Sequence, residues 1–435
     1  MSAMATPPAS ATGAPSPDAS KGKPDADASR FAGAWLAVGG SMFAVAWGGN
    51  EFTPLLVMYR EVSKFSTVTV DVLLGAYVVG IVPALLAGGP LSDRYGRRPL
   101  MLPAAPLSLL GSLILAVGPD SSFLLALGRV FCGIALGLVM AVGTTWIKEL
   151  SVREGKPDAG AGRASMSLTV GFLVGAGLAG ALAQWGPWPT ATTYVLHIAL
   201  TLVTGAWLFG VPETRAVEPA GSRPKLRDDL RVPPIGHRRF LRVVVPLAPW
   251  VFGSVGSAYA VLPGLMRDHS GGMPIALSAL VTALTLAFGV AAQLVGKVID
   301  TRHSARASVI AMAFLAVGMG LAALATTVLS LPLVLVAACV LGVGYGLALV
   351  AGLSEVQRIA GPDDLAGLTA VYYAIAYTGF FIPAILAVLS KYVTYSALFT
   401  GGVAVAICCL IVVACAWRSH LPASSAPRPG VVAEV

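Results

Sequence analysis

Gly89-Pro90-Leu91-Ser92-Asp93-Arg94-Tyr95-Gly96-Arg97-Arg98 stands between two long apolar runs. Gly89 and Gly96 permit a tight turn there, where a side chain would restrict the backbone. Asp93 suits the N-terminus of a following helix or an arginine partner. Arg94, Arg97 and Arg98 mark a loop kept on the cytoplasmic side of a membrane. At its plainest the segment is a charged stop between two membrane-crossing helices.

Working outward, hydrophobic residues make up 56% of the 435-residue chain and charged residues 11%. Soluble domains carry roughly a quarter charged residues, so a soluble fold is excluded. A hydrocarbon core about 30 Å thick needs roughly 20 apolar helical residues. Twelve such runs are expected, over 34–58, 68–89, 100–117, 123–147, 164–185, 191–210, 243–264, 275–298, 306–327, 331–353, 365–389 and 393–417. The expected fold is therefore all-α and polytopic, twelve transmembrane helices in two six-helix bundles.

The expected organisation is a disordered cytoplasmic tail over 1–30, a first bundle over 31–210 and a Pro-rich charged cytoplasmic linker over 211–242. A second bundle over 243–417 and a cytoplasmic tail over 418–435 follow. With the N-terminus inside, 19 Lys and Arg fall in inner loops and 4 in outer ones. That asymmetry places both termini in the cytoplasm. It also accounts for the net charge of +8 by topology, leaving no basic face for nucleic acid.

The halves look duplicated, as in transporters whose two bundles rock about a central site. Gly89-x-x-x-Asp93-Arg94 recurs 207 residues later as Gly296-x-x-x-Asp300-x-Arg302. Glu149 with Arg153 is echoed by Glu355 with Arg358.

The segment 89–98 resembles, without departure, the G-x-L-x-D-R-x-G-R-R loop between helices 2 and 3 of the major facilitator superfamily. The resemblance extends over about residues 31–420. It implies a secondary transporter working by alternating access at a midplane site, and a monomer. It implies gating roles for Asp93, Arg94 and Arg97, with Asp300 and Arg302 as a degenerate counterpart. Pro212-Glu213-Thr214-Arg215 also resembles a family signature. Glu213 would join Glu149, Arg153 and Arg163 in an inner charge cluster; a solvated rim explains these charges equally well.

Gly171-x-x-x-Gly175-Ala176-Gly177-Leu178-Ala179-Gly180 resembles the G-x-x-x-G-P-x-x-G-G of drug/proton antiporters, departing at Ala176 and Ala179. Small residues at this spacing also simply let helices approach. Arg129-x-x-x-Gly133 partly resembles the family's intramembrane R-x-x-Q-G-x-G, with Cys132 and Ala135 at the departing positions. An arginine in hydrocarbon costs about 2.5–3.5 kcal/mol and needs a partner. Glu51, at similar depth, is the expected one. As the proton-coupling residue it would exchange a proton for a cation as the cavity opens and closes. The alternative is a permanent structural pair. The resemblance is incomplete here too, because the acidic residue of the drug antiporters falls nine residues before the helix-1 proline, where this chain has Val45.

Intramembrane polar and aromatic groups suit an organic ligand, and the resemblance implies a cavity lined by helices 1, 7, 10 and 11, so Trp47, Asn50, Glu51, Tyr259, Tyr345 and Tyr377 are expected to contact substrate. Asp71 reads as an exposed rim charge and His197 as a packed residue. Cysteines lie within apolar runs as small hydrophobes, and neither a metal-ligand spacing nor a catalytic or cofactor motif occurs. The chain thus reads as no enzyme and as needing no cofactor. The expected function is proton-coupled efflux of a small organic compound across the cytoplasmic membrane. The alternative is proton-coupled uptake of a metabolite or organic anion anchored by Arg129.

Overall fold

The computed structural model describes residues 31–215, 232–301, 303–361 and 364–419. The tail over 1–30, residues 420–435, most of the expected linker, Arg302 and residues 362–363 lie outside the described residues.

Those residues form helices α1 Ala34–Asn50, α2 Thr67–Tyr95, α3 Arg97–Val117, α4 Ser122–Arg153, α5 Ala159–Trp185 and α6 Thr192–Leu208, then α7 Phe240–Leu265, α8 Pro274–Ile299, α9 Arg306–Val328, α10 Leu331–Ile359, α11 Leu365–Leu389 and α12 Tyr395–Cys415. Ten are long and apolar enough to cross a membrane; α6 is a shorter apolar helix, and α1 is interrupted. After Asn50 the chain leaves the helix and resumes at Leu56–Glu61. Pro54, which has no N–H to give to the Asn50 carbonyl, lies in the gap. The first span was expected to be continuous over 34–58; its break is what sets the site described below.

Ser66 and Thr394 cap α2 and α12 through their hydroxyls, accepting from the Thr69 and Ala397 amides. Between α2 and α3, Gly96 takes φ 101° and ψ 159°, a backbone region reserved for glycine.

The packing repeats by six. Helix α2 lies on α4 as α8 does on α10, α1 on α5 as α7 on α11, and α3 on α6 as α9 on α12. The bundles meet through α5 against α8 and α2 against α11, each contact the counterpart of the other. Helix α7 is central, with 78% of its apolar window buried, whereas α12 is peripheral at 17%. Val298, Phe123, Leu294 and Val203 project from the outer surface, as lipid requires of apolar residues.

Candidate functional site

At the end carrying residues 89–98, Arg97 is the organising group. Its guanidinium donates to Glu149 at 2.8 Å, to Ser92 at 2.6 Å and to Asp93 at 2.8 Å. The Glu213 carboxylate accepts from the Arg97 and Arg98 amides at 3.0 and 2.8 Å, closing the first turn of α3. Arg94 sits half-buried in the last turn of α2. Arg153 does not pair with its neighbour Glu149; it reaches the Thr214 carbonyl and lies over the Phe31 ring. Arg163 pairs with Glu154 at 2.5 Å. Burial pushes the Glu154 carboxyl up, but hydrogen bonds and charge from Arg163 and Lys156 outweigh it and hold the group below its ordinary value.

A counterpart stands in the second bundle. Arg358 joins Asp300 and Glu355, and fully buried Arg239 donates to Glu355 at 2.7 Å. Asp93 and Asp300, and Glu149 and Glu355, are thus equivalent, but the bridging arginine comes from the start of α3 in one bundle and the end of α10 in the other.

At the opposite end the bundles are tied together. Arg60 Nη2 donates to Asp71 at 2.9 Å and to the Ala260 carbonyl at 3.3 Å, and Arg267 pairs with Glu61 at 2.6 Å. The Gln184 side chain accepts from the Ala276 amide. Asp71, expected on an exposed rim, is buried because Arg60 folds over the start of α2. Helix α5 serves packing here: a methyl on Gly171 or Gly175 would strike α1, and one on Gly180 would strike Ala279 of α8.

Between the two ends lies the region that the sequence marked as the site. Arg129 is 1% exposed and lies over the rings of Tyr77 at 4.1 Å and Phe52 at 4.7 Å. Two desolvated cation–π contacts contribute about 2 kcal/mol each, enough to offset the insertion cost of about 2.5–3.5 kcal/mol. Its Nη1 donates to the Gly49 carbonyl at 3.1 Å, an acceptor that the break in α1 releases, because the Thr53 amide turns to Asn50 instead. Arg129 Nε and the Tyr77 hydroxyl have no hydrogen-bond partner among the described residues.

Glu51 is fully buried but makes no hydrogen bond with Arg129. It faces α3 and α6, accepting from Ser112 at 3.2 Å and Thr193 at 3.4 Å, with His197 Nδ1 at 3.8 Å. Charge still couples it to Arg129. The expected direct pair is corrected: Glu51 continues the helical path of α1 as its C-terminal cap and points to α3 and α6, whereas Arg129 reaches the Gly49 carbonyl. Asn50 is spent on scaffold, donating to the Phe172 carbonyl and accepting from Thr53. Trp47 packs edge-on to Phe43 and against Gly175.

The second bundle contributes aromatics. Phe252 stacks on Tyr377 at 4.2 Å and on Phe380 at 4.9 Å, with Tyr345 at 6.1 Å. The Tyr377 hydroxyl reaches Met140 Sδ of the first bundle at 3.2 Å. Tyr259 is buried on α7 in the neighbourhood of Tyr345, Arg129 and Tyr77. Met140 and Tyr259 both sit in π-helical turns, of α4 and α7, a local widening that recurs at functional sites. Of the expected ligand contacts, Tyr259, Tyr345 and Tyr377 gather opposite Arg129, while Trp47, Asn50 and Glu51 belong to the packing of the first bundle. Sequence reading missed Ser112, Thr193, Phe252, Met140, Arg60 and Arg239, and undervalued His197; Arg60 was readable only as one of few charges on a sparse side.

A model of the Major Facilitator Superfamily matches residues 35–267. A chloramphenicol resistance protein of Pseudomonas aeruginosa is 27% identical over 347 residues, covering 75% of this chain and 77% of that one. Multidrug resistance protein 2 of Bacillus subtilis is 24% identical over 379 residues, covering 83% and 90%. The crystal structure of a POT family transporter in complex with a thioalcohol-conjugated peptide superposes with TM-score 0.72 at 15% identity, over 88% of this chain and 95% of that one.

Proposed function

The chain belongs to the major facilitator superfamily and is a membrane transporter, and we propose that it exports a small organic compound in exchange for protons. One observation carries the coupling. Three carboxyls are fully buried among the described residues, Glu51, Asp71 and Glu355. Asp71 and Glu355 are held by arginines in direct ion pairs, whereas Glu51 is hydrogen-bonded by hydroxyls beside a histidine and has Arg129 only at longer range. A carboxyl without a permanent cation is free to take up and release a proton.

The compound binds between Arg129 with Tyr77 and the Tyr259, Tyr345, Tyr377 and Phe252 cluster. The phenols and the unspent donor of Arg129 suit an aromatic or amphipathic molecule bearing hydrogen-bond acceptors. The names of the two resistance relatives support export of such compounds. The basic loops support a cytoplasmic position for residues 89–98 and both termini, and on that orientation the Arg60 and Arg267 contacts close the outer face. Relative motion of the bundles breaks those contacts as the inner charge clusters engage.

The test is accumulation in whole cells. Cells producing the protein retain less of a substrate than control cells, and a protonophore removes the difference. A second reading, uptake of a metabolite or organic anion, is favoured because no carboxylate among the described residues hydrogen-bonds Arg129; it requires greater retention instead.

A further inference from the structure

We propose that Glu51 and His197 share one exchangeable proton across Ser112, so that the coupling unit is a three-residue relay joining α1, α3 and α6. The proposal rests on the proton-coupled reading above and adds its chemistry.

Counting hydrogens leads to it. Glu51 Oε1 lies 3.2 Å from Ser112 Oγ, which lies 2.7 Å from His197 Nδ1. On the far side of the ring, Nε2 meets the Ala44 carbonyl at 3.0 Å and the Thr201 hydroxyl at 3.0 Å. A carbonyl only accepts, so Nε2 carries a hydrogen. With Glu51 ionised and His197 neutral, Nδ1 is then bare, and the single Ser112 hydrogen must serve two acceptors. The other neutral tautomer satisfies Ser112 and lets Nε2 accept from the Thr201 hydroxyl, but it still sets the Nε2 lone pair 3.0 Å from the Ala44 carbonyl. Either way one buried contact brings two acceptors together with no hydrogen between them, which disfavours both arrangements.

One additional proton removes the conflict in two ways. In the first, the Glu51 acid donates to Ser112 and Ser112 donates to Nδ1. In the second, Nδ1–H donates to Ser112 and Ser112 donates to the Glu51 carboxylate. The two forms interconvert when the Glu51 proton passes to Ser112 Oγ as the Ser112 proton passes to Nδ1; no charge enters or leaves. The other titratable groups facing this unit are Arg129 and Cys132 of α4, Tyr59 beyond the break, and Tyr194 of α6, whose hydroxyl is bonded to that of Tyr59 at 2.8 Å. Arg129 alone among them is charged, and it acts on the relay from the substrate side. An arriving ligand that engages Arg129 changes its pull on Glu51 and thereby the proton.

The test is infrared difference spectroscopy of the full protein in lipid nanodiscs, titrated with acid and base. Wild type shows a protonated-carboxyl carbonyl band at neutral pH that is missing from Glu51→Gln. In Ser112→Ala and His197→Gln the band is displaced and its titration midpoint moves by about one pH unit or more. A wild-type protein that shows neither the protonated-carboxyl band nor an imidazolium ring band at neutral pH, or bands that titrate unchanged in both variants, overturns the relay. The wild-type spectrum decides the first point whatever the folding of the variants. Because it reads proton binding without transport, an uncoupled transporter would still show the shared proton. A coupled transporter whose band ignores Ser112 and His197 would keep its function and lose the relay.

Discussion

Arg60 of the first bundle donates through one nitrogen to its own Asp71 at 2.9 Å and to the Ala260 carbonyl of the second bundle at 3.3 Å. The nearby Glu61–Arg267 pair also crosses between bundles, but Arg267 is 61% exposed. An exposed ion pair contributes about 0–1 kcal/mol, whereas a charged hydrogen bond shielded from water contributes about 1.5–3 kcal/mol. On the proposed orientation Arg60 is therefore the stronger of these two contacts closing the outer face. Replacing it with Ala should raise the labelling rate of a cysteine placed at Tyr77 by an outside-added thiol reagent about 10-fold. Arg267→Ala should change it by less than about 3-fold. Equal effects would remove the distinction.

Cysteines at Glu61 and Arg267, introduced after removal of the native ones, should cross-link on oxidation and stop transport, with recovery on reduction. Since each bundle keeps its own packing, the thermal midpoint should not fall. Continued transport in the cross-linked protein would show that the outer contacts do not part during the cycle.

Gly96→Ala should destabilise the protein by about 2 kcal/mol, because its backbone angles admit only glycine and the new methyl meets the Glu213 carboxylate. Arg97→Ala should cost about 3 kcal/mol by leaving Ser92 and Glu149 without their shared donor. Thermal unfolding in detergent, followed by tryptophan fluorescence, measures both.

Tyr77→Phe should separate stability from function. The Tyr77 hydroxyl is buried and unpartnered, so deleting it should leave stability unchanged or raise it by about 1 kcal/mol. If that hydroxyl is reserved for the substrate, the KM for export should rise about 5- to 10-fold. Phe252→Ala, which unstacks Tyr377 and Phe380, should weaken aromatic substrates more than aliphatic ones.

The legibility of this molecule in its sequence divides along physical lines. The 89–98 turn was readable because its chemistry is contiguous: Arg97 finds Asp93 one helical turn away, and Gly96 declares its own backbone. The depth of Glu51 and Arg129 was readable from helix length. Their azimuth was not, because helices apolar on every side give no periodicity from which to orient a face. Pro54 announced a weakness in α1 but not the direction of the turn. The partners of Glu51 come from α3 and α6, and Ser112 and His197 are unremarkable within their own runs. Arg239 was hidden among the basic residues of a loop, although it ends fully buried on Glu355.

The central claim, exchange of protons for an organic compound through Glu51, is tested most directly in energised inside-out vesicles carrying a lumenal pH probe. Neutral aromatic drugs, lipophilic cations and organic acids are added in turn to wild type and to Glu51→Gln. A compound that raises lumenal pH with wild type and leaves it unchanged with Glu51→Gln is the predicted result. An equal rise in both proteins, or no rise in the wild type with any compound although the protein is inserted, would contradict it.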